Sequence, residues 1–158
     1  MIVPVGIALG SNLGDRSTEL DHGIRFLRML AVNHKVLESP RVETEPVNCP
    51  PGSRLFLNSI AEIEIDTVVF PPLNLFACLE DFEIERGRCP LRDFNSPRAL
   101  DLDIIYYGNE RFEDMGLIIP HPRAHARRFV LEPLSHLRPE LVLPGQTKTV
   151  RELLEQAA

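Results

Sequence analysis

Cysteine is scarce in this chain: Cys49, Cys78 and Cys89 are the whole set, and none is spaced as C-x-x-C. Three scattered thiols argue against a disulfide framework and lack the ligand spacing of a structural zinc site. They read as reduced cysteines of a cytoplasmic protein. No apolar run approaches the ~20 residues of a membrane span. The start, Met1-Ile2-Val3-Pro4-Val5, has neither the basic n-region nor the cleavage site of a signal peptide, so none is expected and no membrane partner is expected. Lysine is nearly missing: of the 17 basic side chains fifteen are arginine. Guanidinium forks suit bidentate contacts to phosphate.

What remains is an ordinary soluble composition, 44% hydrophobic and 25% charged over 158 residues, read as a single domain spanning 1–158. The net charge of −6 argues against a general nucleic-acid binder. Positive charge is nevertheless concentrated. Residues 86–98 hold four arginines and one aspartate, and residues 121–128 hold three arginines and no acid. Two basic patches on an acidic chain fit a small polyanion such as a nucleotide.

Pro97-Arg98-Ala99-Leu100-Asp101-Leu102-Asp103-Ile104-Ile105 carries the chemistry. Two carboxylates stand two residues apart in an otherwise apolar, strand-prone run. Side chains alternate along a strand, so Asp101 and Asp103 share a face. Anions that close are tolerable with a cation between them. Mg²⁺ is the natural ion, held by one or two carboxylates together with substrate phosphates. Arg98, just upstream, offers a fork for a phosphate.

Periodicity places these residues in a fold. Val3–Leu9 reads as a strand ending in a Gly10-Ser11-Asn12 turn. Asp15, Ser17 and Thr18 are N-cap candidates for an amphipathic helix over 17–31, with Leu20, Ile24, Leu27 and Leu30 on one stripe. Residues 32–42 read as a strand and 43–54 as a Pro-rich loop. Residues 56–66 alternate, with Leu57, Ser59, Ala61, Ile63 and Ile65 on one face and Phe56, Asn58, Ile60, Glu62 and Glu64 on the other. A second helix starts at Pro71-Pro72 and stops at Gly87. After a loop over 87–97 come a strand over 100–107, a turn at Gly108-Asn109, and a strand or loop over 111–119. Short helices are expected over 124–134 and 149–156. The order is β-α-β-β-α-β plus a C-terminal extension: a ferredoxin-like α+β fold, with an antiparallel sheet, both helices on one face, and the opposite face open to a ligand.

With these blocks in place the chain resembles the 6-hydroxymethyl-7,8-dihydropterin pyrophosphokinases of folate biosynthesis. The resemblance rests on Gly10-Ser11-Asn12-Leu13-Gly14-Asp15, Thr44-Glu45-Pro46 and Phe56-Leu57-Asn58. It continues through Glu83 with Gly87-Arg88, the Pro97–Ile105 block, Pro120-His121-Pro122-Arg123 and Arg127-Arg128-Phe129-Val130-Leu131. It implies transfer of pyrophosphate from ATP to the hydroxymethyl oxygen of a reduced pterin, with release of AMP. Such a reaction needs positioning and charge neutralisation more than covalent help. The resemblance implies that Asp101 and Asp103 hold two Mg²⁺ ions bridging the ATP phosphates. Arg98, His121 and Arg127 would neutralise phosphate oxygens, and Asp103 is the nearest group to accept the hydroxyl proton. Phe56 and Phe129 would stack on the pterin, with Asn58, Thr44 and Val47 along its edge. Glu80, Glu83, Arg88, Arg92 and Ile104 would contact the nucleotide. ATP and pterin are the implied partners, with no nucleic acid, and the chain is expected as a monomer or weak dimer.

The chain departs from the family pattern in its loops. Phe94-Asn95-Ser96 precede the Pro-Arg pair where Arg-Trp-Gly is usual, and the chain has no tryptophan. The altered lid motivates a rival reading, a catalytically weakened relative that binds pterin or nucleotide and regulates a partner.

Overall fold

The computed structural model describes residues 1–45, 51–52, 54–87 and 99–157. In chain order its elements are β1 (Ile2–Ser11), α1 (Arg16–Leu30), β2 (Leu37–Glu38), β3 (Val42–Thr44), β4 (Phe56–Asp66), α2 (Pro72–Glu85), β5 (Asp101–Tyr107), β6 (Phe112–Asp114), β7 (Leu117–Ile119), α3 (Arg128–Leu137) and α4 (Val150–Gln156), with a 3-10 turn at Ala124–Ala126.

β1 sets the architecture through alternation. Val5, Ile7 and Leu9 point to one face and are fully or almost fully buried. There they meet Leu20, Ile24 and Leu27 of α1, Leu75 and Leu79 of α2, and Ala61, Ile63 and Ile65 of β4. Each large aliphatic side chain removed from water here contributes about 1.5–3 kcal/mol. The other face of β1 carries Gly6, Ala8 and Gly10, which leave the middle of the sheet low.

The main sheet runs β2-β4-β1-β5, with β3 also pairing β4, and the ladders are antiparallel. β1 thus has β4 on one side and β5 on the other. Both long helices pack on the Val5 face, as the sequence pattern predicts. The opposite face is not left wholly open. α3, α4 and Leu143 cover one end of it, closing over Ile60, Ile105 and Tyr106. The hydrophobic stripe of α3, through Val130, Leu131 and Leu134, makes this inevitable, because those side chains need apolar partners.

Several boundaries differ from the sequence reading. Gly10 and Ser11 belong to β1 rather than to a turn, since both remain in register with β4. The strand expected over 32–42 is two short pieces. Pro40 has no N–H to donate, and the chain breaks at Ser39-Pro40-Arg41 before β3 resumes as far as Thr44. Arg41 pins that break to α1 and β2 through Asp21 at 2.7 Å and Glu38 at 2.8 Å. Asp15 is the N-cap of α1, accepting from the Thr18 N–H at 3.1 Å. Residues 112–119 form a separate β6–β7 hairpin, turning at Met115-Gly116 with both φ positive. The expected helix over 124–134 is a 3-10 turn followed by α3, separated by the extended Arg127.

β5 contains a bulge. Gly6 pairs with Tyr106, yet Ile7 pairs with Ile104, so Ile105 is the extra residue. Ile105 and Tyr106 consequently lie on the same face, and Tyr107 returns to the α1/α2 core.

Candidate active site

The face of the sheet not covered by α1 and α2 is organised in rows. Asn58 of β4, Gly10 of β1 and Asp101 of β5 lie side by side across three strands. The next row is Ile60, Ala8 and Asp103. Asp101 and Asp103 therefore do share a face, as strand alternation requires. The small central residues leave a trough, with two carboxylates on one wall and Asn58 on the other. Asp101 is half-buried and Asp103 exposed.

The Asn58 wall is organised by β3. The Asn58 Nδ2 donates to Thr44 Oγ1. A β-carbon built at Gly10 would lie 3.0 Å from Asn58 Oδ1 and 3.5 Å from Phe56 Cδ1, so both side chains lean over that glycine. Thr44, Phe56 and Asn58, three of the expected pterin contacts, are thus brought together. Val47 lies outside the described residues.

The carboxylate wall faces a cationic segment. The His121 N–H donates to the Ile105 carbonyl at 2.9 Å, docking the chain after the cis Ile119–Pro120 bond onto β5. His121 Nδ1 accepts the Arg123 N–H at 3.2 Å, so the neutral ring carries its proton on Nε2. Burial, then the charges of Arg127 and Arg123, push the His121 pKa down, while Asp101 pulls the other way. Burial and Arg123 likewise lower the Arg127 pKa, opposed by Asp103. These couplings put His121 within electrostatic reach of Asp101 and Arg127 within reach of Asp103, with Arg123 acting on both of those cationic-segment groups. The Arg127 guanidinium lies 5.3 Å from the centre of the Phe129 ring, and Phe129 packs against the α3/α4 cluster. Arg123 had no role assigned from sequence, although the basic 121–128 patch contains it.

Other expected contacts are placed differently. Ile104 is 4% exposed and its side chain belongs to the α1/α2 core. Alternation turns its side chain away from Asp103, so the expected nucleotide contact of Ile104 would fall to its main chain. Glu80 is exposed on α2. Glu83 is 2% exposed and accepts the Leu102 N–H at 2.7 Å. Arg88, Arg92 and Arg98 lie outside the described residues, as do Phe94, Asn95 and Ser96. From the 86–98 patch, Arg86 is committed elsewhere: its guanidinium grips Glu19 with bonds of 3.0 and 2.6 Å, tying α2 to α1.

A cavity of about 410 Å³ adjoins this segment, with Ile118, Pro120, His121, Pro122 and Gln146 among its walls. Asp101 and Asp103 do not line it; His121 does.

The aspartates fit a hard divalent ion. They share one face, keep contact with solvent, and are opposed across β1 by Gly10 and Ala8, which have no side chain long enough to fill the space. Among the described residues no cluster of three or more His, Cys, Asp or Glu side chains is arranged for a metal. Two carboxylates alone make an incomplete ligand set, which suits an ion that arrives with phosphate oxygens attached.

Comparison with known proteins agrees with this geometry. The family model described as 7,8-dihydro-6-hydroxymethylpterin-pyrophosphokinase (HPPK) matches residues 6–139. The 2-amino-4-hydroxy-6-hydroxymethyldihydropteridine pyrophosphokinase of Haemophilus influenzae is 37% identical over 152 residues, covering 96% of this chain and 91% of that one. The Pseudomonas aeruginosa and Bacillus subtilis proteins of the same name are 35% and 38% identical, over 91% and 83% of this chain and 86% and 75% of theirs. Among solved structures, a Plasmodium falciparum HPPK-DHPS triple mutant with pteroate matches with a TM-score of 0.74 at 14% identity, over 99% of this chain and 43% of that one. That likeness bears on the fold alone, and this chain spans less than half of the Plasmodium chain. With residues 6–139 matched and bacterial relatives aligned over most of their length, the chain belongs to the 7,8-dihydro-6-hydroxymethylpterin-pyrophosphokinase family.

Proposed function

We propose that this protein transfers the pyrophosphoryl group of ATP to the hydroxymethyl oxygen of 6-hydroxymethyl-7,8-dihydropterin and releases AMP, a step of folate biosynthesis. One observation carries the assignment of roles. Asp101 and Asp103 share one side of the trough, where Asp101 acts on His121 and Asp103 on Arg127, and Asn58 with Thr44 forms the other side.

The residues divide the work by chemistry. Asn58 and Thr44 meet the amide-like edge of the pterin, with Val47 completing it. Phe56 and Phe129 cover the flat ring. Asp101 and Asp103 would hold two Mg²⁺ ions, which would supply charge withdrawal from the phosphate oxygens. Arg98, His121 and Arg127 stabilise charge that develops on the phosphate chain and on departing AMP. A neutral His121 supplies one hydrogen bond from Nε2. Asp103 is the nearest group to take the hydroxyl proton. Glu80, Arg88 and Arg92 hold the nucleotide, and Ile104 meets its base through the main chain.

The order β-α-β-β-α-β and the sheet order support a ferredoxin-like core, with the C-terminal helices as the extension, and 1–158 acting as one pyrophosphokinase domain. Three scattered cysteines and small polar substrates support action in the cytoplasm, and we read the chain as a monomer or weak dimer. No helix among the described residues is long and apolar enough to cross a membrane.

The test is to incubate the purified chain with Mg²⁺, ATP and the reduced hydroxymethylpterin and to follow AMP. Pterin-dependent AMP formation is expected. Ligand binding without AMP is the outcome that the regulatory reading requires, and it would displace this one.

A further inference from the structure

Glu83 is a carboxylate almost sealed from solvent, at 2% exposure. Burying a charge is costly unless it is bonded, and the structure shows one bond directly: its Oε2 accepts the Leu102 N–H at 2.7 Å. Leu102 is the residue between Asp101 and Asp103. Among the described residues β5 ends the strand order, so an N–H pointing outward from it has no neighbouring strand there to receive it. α2 supplies the acceptor instead. Leu102 buries its side chain in the α1/α2 core, so Glu83 reaches the strand from the helix side, away from the trough.

We propose that Glu83 is a positioning residue for the aspartate pair. Its carboxylate holds the amide between Asp101 and Asp103 and so sets the local twist of β5 where both side chains leave the strand. The inference rests on the reading of those aspartates as anchors of a divalent ion. It gives Glu83 a different task from the nucleotide contact implied by resemblance: it acts on the ion through the backbone. Bonds to the groups behind metal ligands characteristically alter affinity by about 10–100-fold.

The experiment uses Mn²⁺ as the probe, titrated calorimetrically into the intact chain saturated with a non-hydrolysable ATP analogue. Glu83→Met cannot accept the amide and should weaken Mn²⁺ about tenfold. Glu83→Gln still offers an oxygen and should stay within about threefold of wild type. Melting of the unliganded Gln variant should match wild type. Wild-type Mn²⁺ affinity in folded Glu83→Met would overturn this inference alone. Equal weakening in both variants would also overturn it, because a contact needing the negative charge would then be at work. Should Glu83→Met not fold, amide exchange at Leu102 decides: slow exchange in wild type and Glu83→Gln upholds the clamp, and fast exchange in wild type removes it. If the wild-type chain binds no Mn²⁺, the assignment of the aspartates fails, and this inference with it.

Discussion

Gly10 is the direct cross-strand neighbour of Asp101, and its missing side chain is what keeps the trough open between that aspartate and Asn58. A β-carbon at Gly10 would press on Asn58 Oδ1 at 3.0 Å. Gly10→Ala should therefore shift the Asn58 amide and disturb its bond to Thr44. Overpacking of this kind costs about 1–3 kcal/mol, and 1.4 kcal/mol is a factor of ten in binding. The expected result is a KM for pterin raised roughly tenfold, with the KM for ATP nearly unchanged. Gly10→Val should be worse in the same direction. Steady-state kinetics in each substrate checks this, and a change confined to ATP would contradict the assignment of the two walls.

Removing either acidic side chain tests the opposite wall. Asp101→Asn and Asp103→Asn keep the size of the side chain and delete its charge. Loss of charge stabilisation at a phosphoryl centre costs about 10²–10³ in turnover. AMP release should fall by at least that much in each variant. Melting temperature should stay near wild type, because neither residue supports the apolar cores. A folded variant turning over at the wild-type rate would remove that residue from the site.

The sign of the His121 shift gives a separate test. Burial and the Arg127 and Arg123 charges lower its pKa from 6.5, and Asp101 opposes them. Between the lowered value and 6.5 the folded chain binds fewer protons than the unfolded chain. Stability therefore rises with pH through that window. The penalty is absent above 6.5 and complete below the lowered value. Titrating His121 by NMR should place it below 6.5. Arg127→Gln should move it up, and Asp101→Asn should move it further down. Failure of Arg127→Gln to move it would dissolve the cationic cluster.

Much of this was legible in residue order, for identifiable reasons. Asp101 and Asp103 share a face because strand geometry leaves no choice. The β4 alternation, with Ala61, Ile63 and Ile65 inward, is also purely local. Leu20, Ile24 and Leu27 announce α1 in the same way. The features that escaped depend on partners distant in sequence. The covered end of the second face follows from α3 docking over β4 and β5, which no local pattern specifies. A signal for the trough floor was nevertheless present. Gly6, Ala8 and Gly10 alternate with Val5, Ile7 and Leu9, so one face of a central strand is small throughout. Arg123 lies in a recognised basic patch but is separated from Arg128 only by structure: Arg128 approaches Glu132 at 3.6 Å, whereas the charge of Arg123 acts on His121 and Arg127.

The far end of the same glycine stripe makes a contrasting prediction. Gly6 lies between Glu62 and Tyr106 in the row beyond Ala8. Here the space is filled: a β-carbon at Gly6 would fall 2.2 Å from Tyr106 Cε1 and 2.5 Å from its Cζ. The ring cannot simply slide away, since its hydroxyl donates to Glu62, which also takes the Arg138 Nε–H at 2.9 Å. Burial, reinforced by Glu62, raises the Tyr106 pKa and keeps the phenol protonated as a donor. Gly6→Ala should therefore destabilise the fold by about 1–3 kcal/mol. Tyr106→Leu should also be destabilising, through the lost packing and hydrogen bond. The double variant should lose less than the sum, because the smaller side chain removes the clash. Urea unfolding of the four proteins measures that coupling. Strict additivity would mean that Tyr106 does not occupy the space above Gly6, and the difference between a filled end and a ligand-accepting end of β1 would disappear.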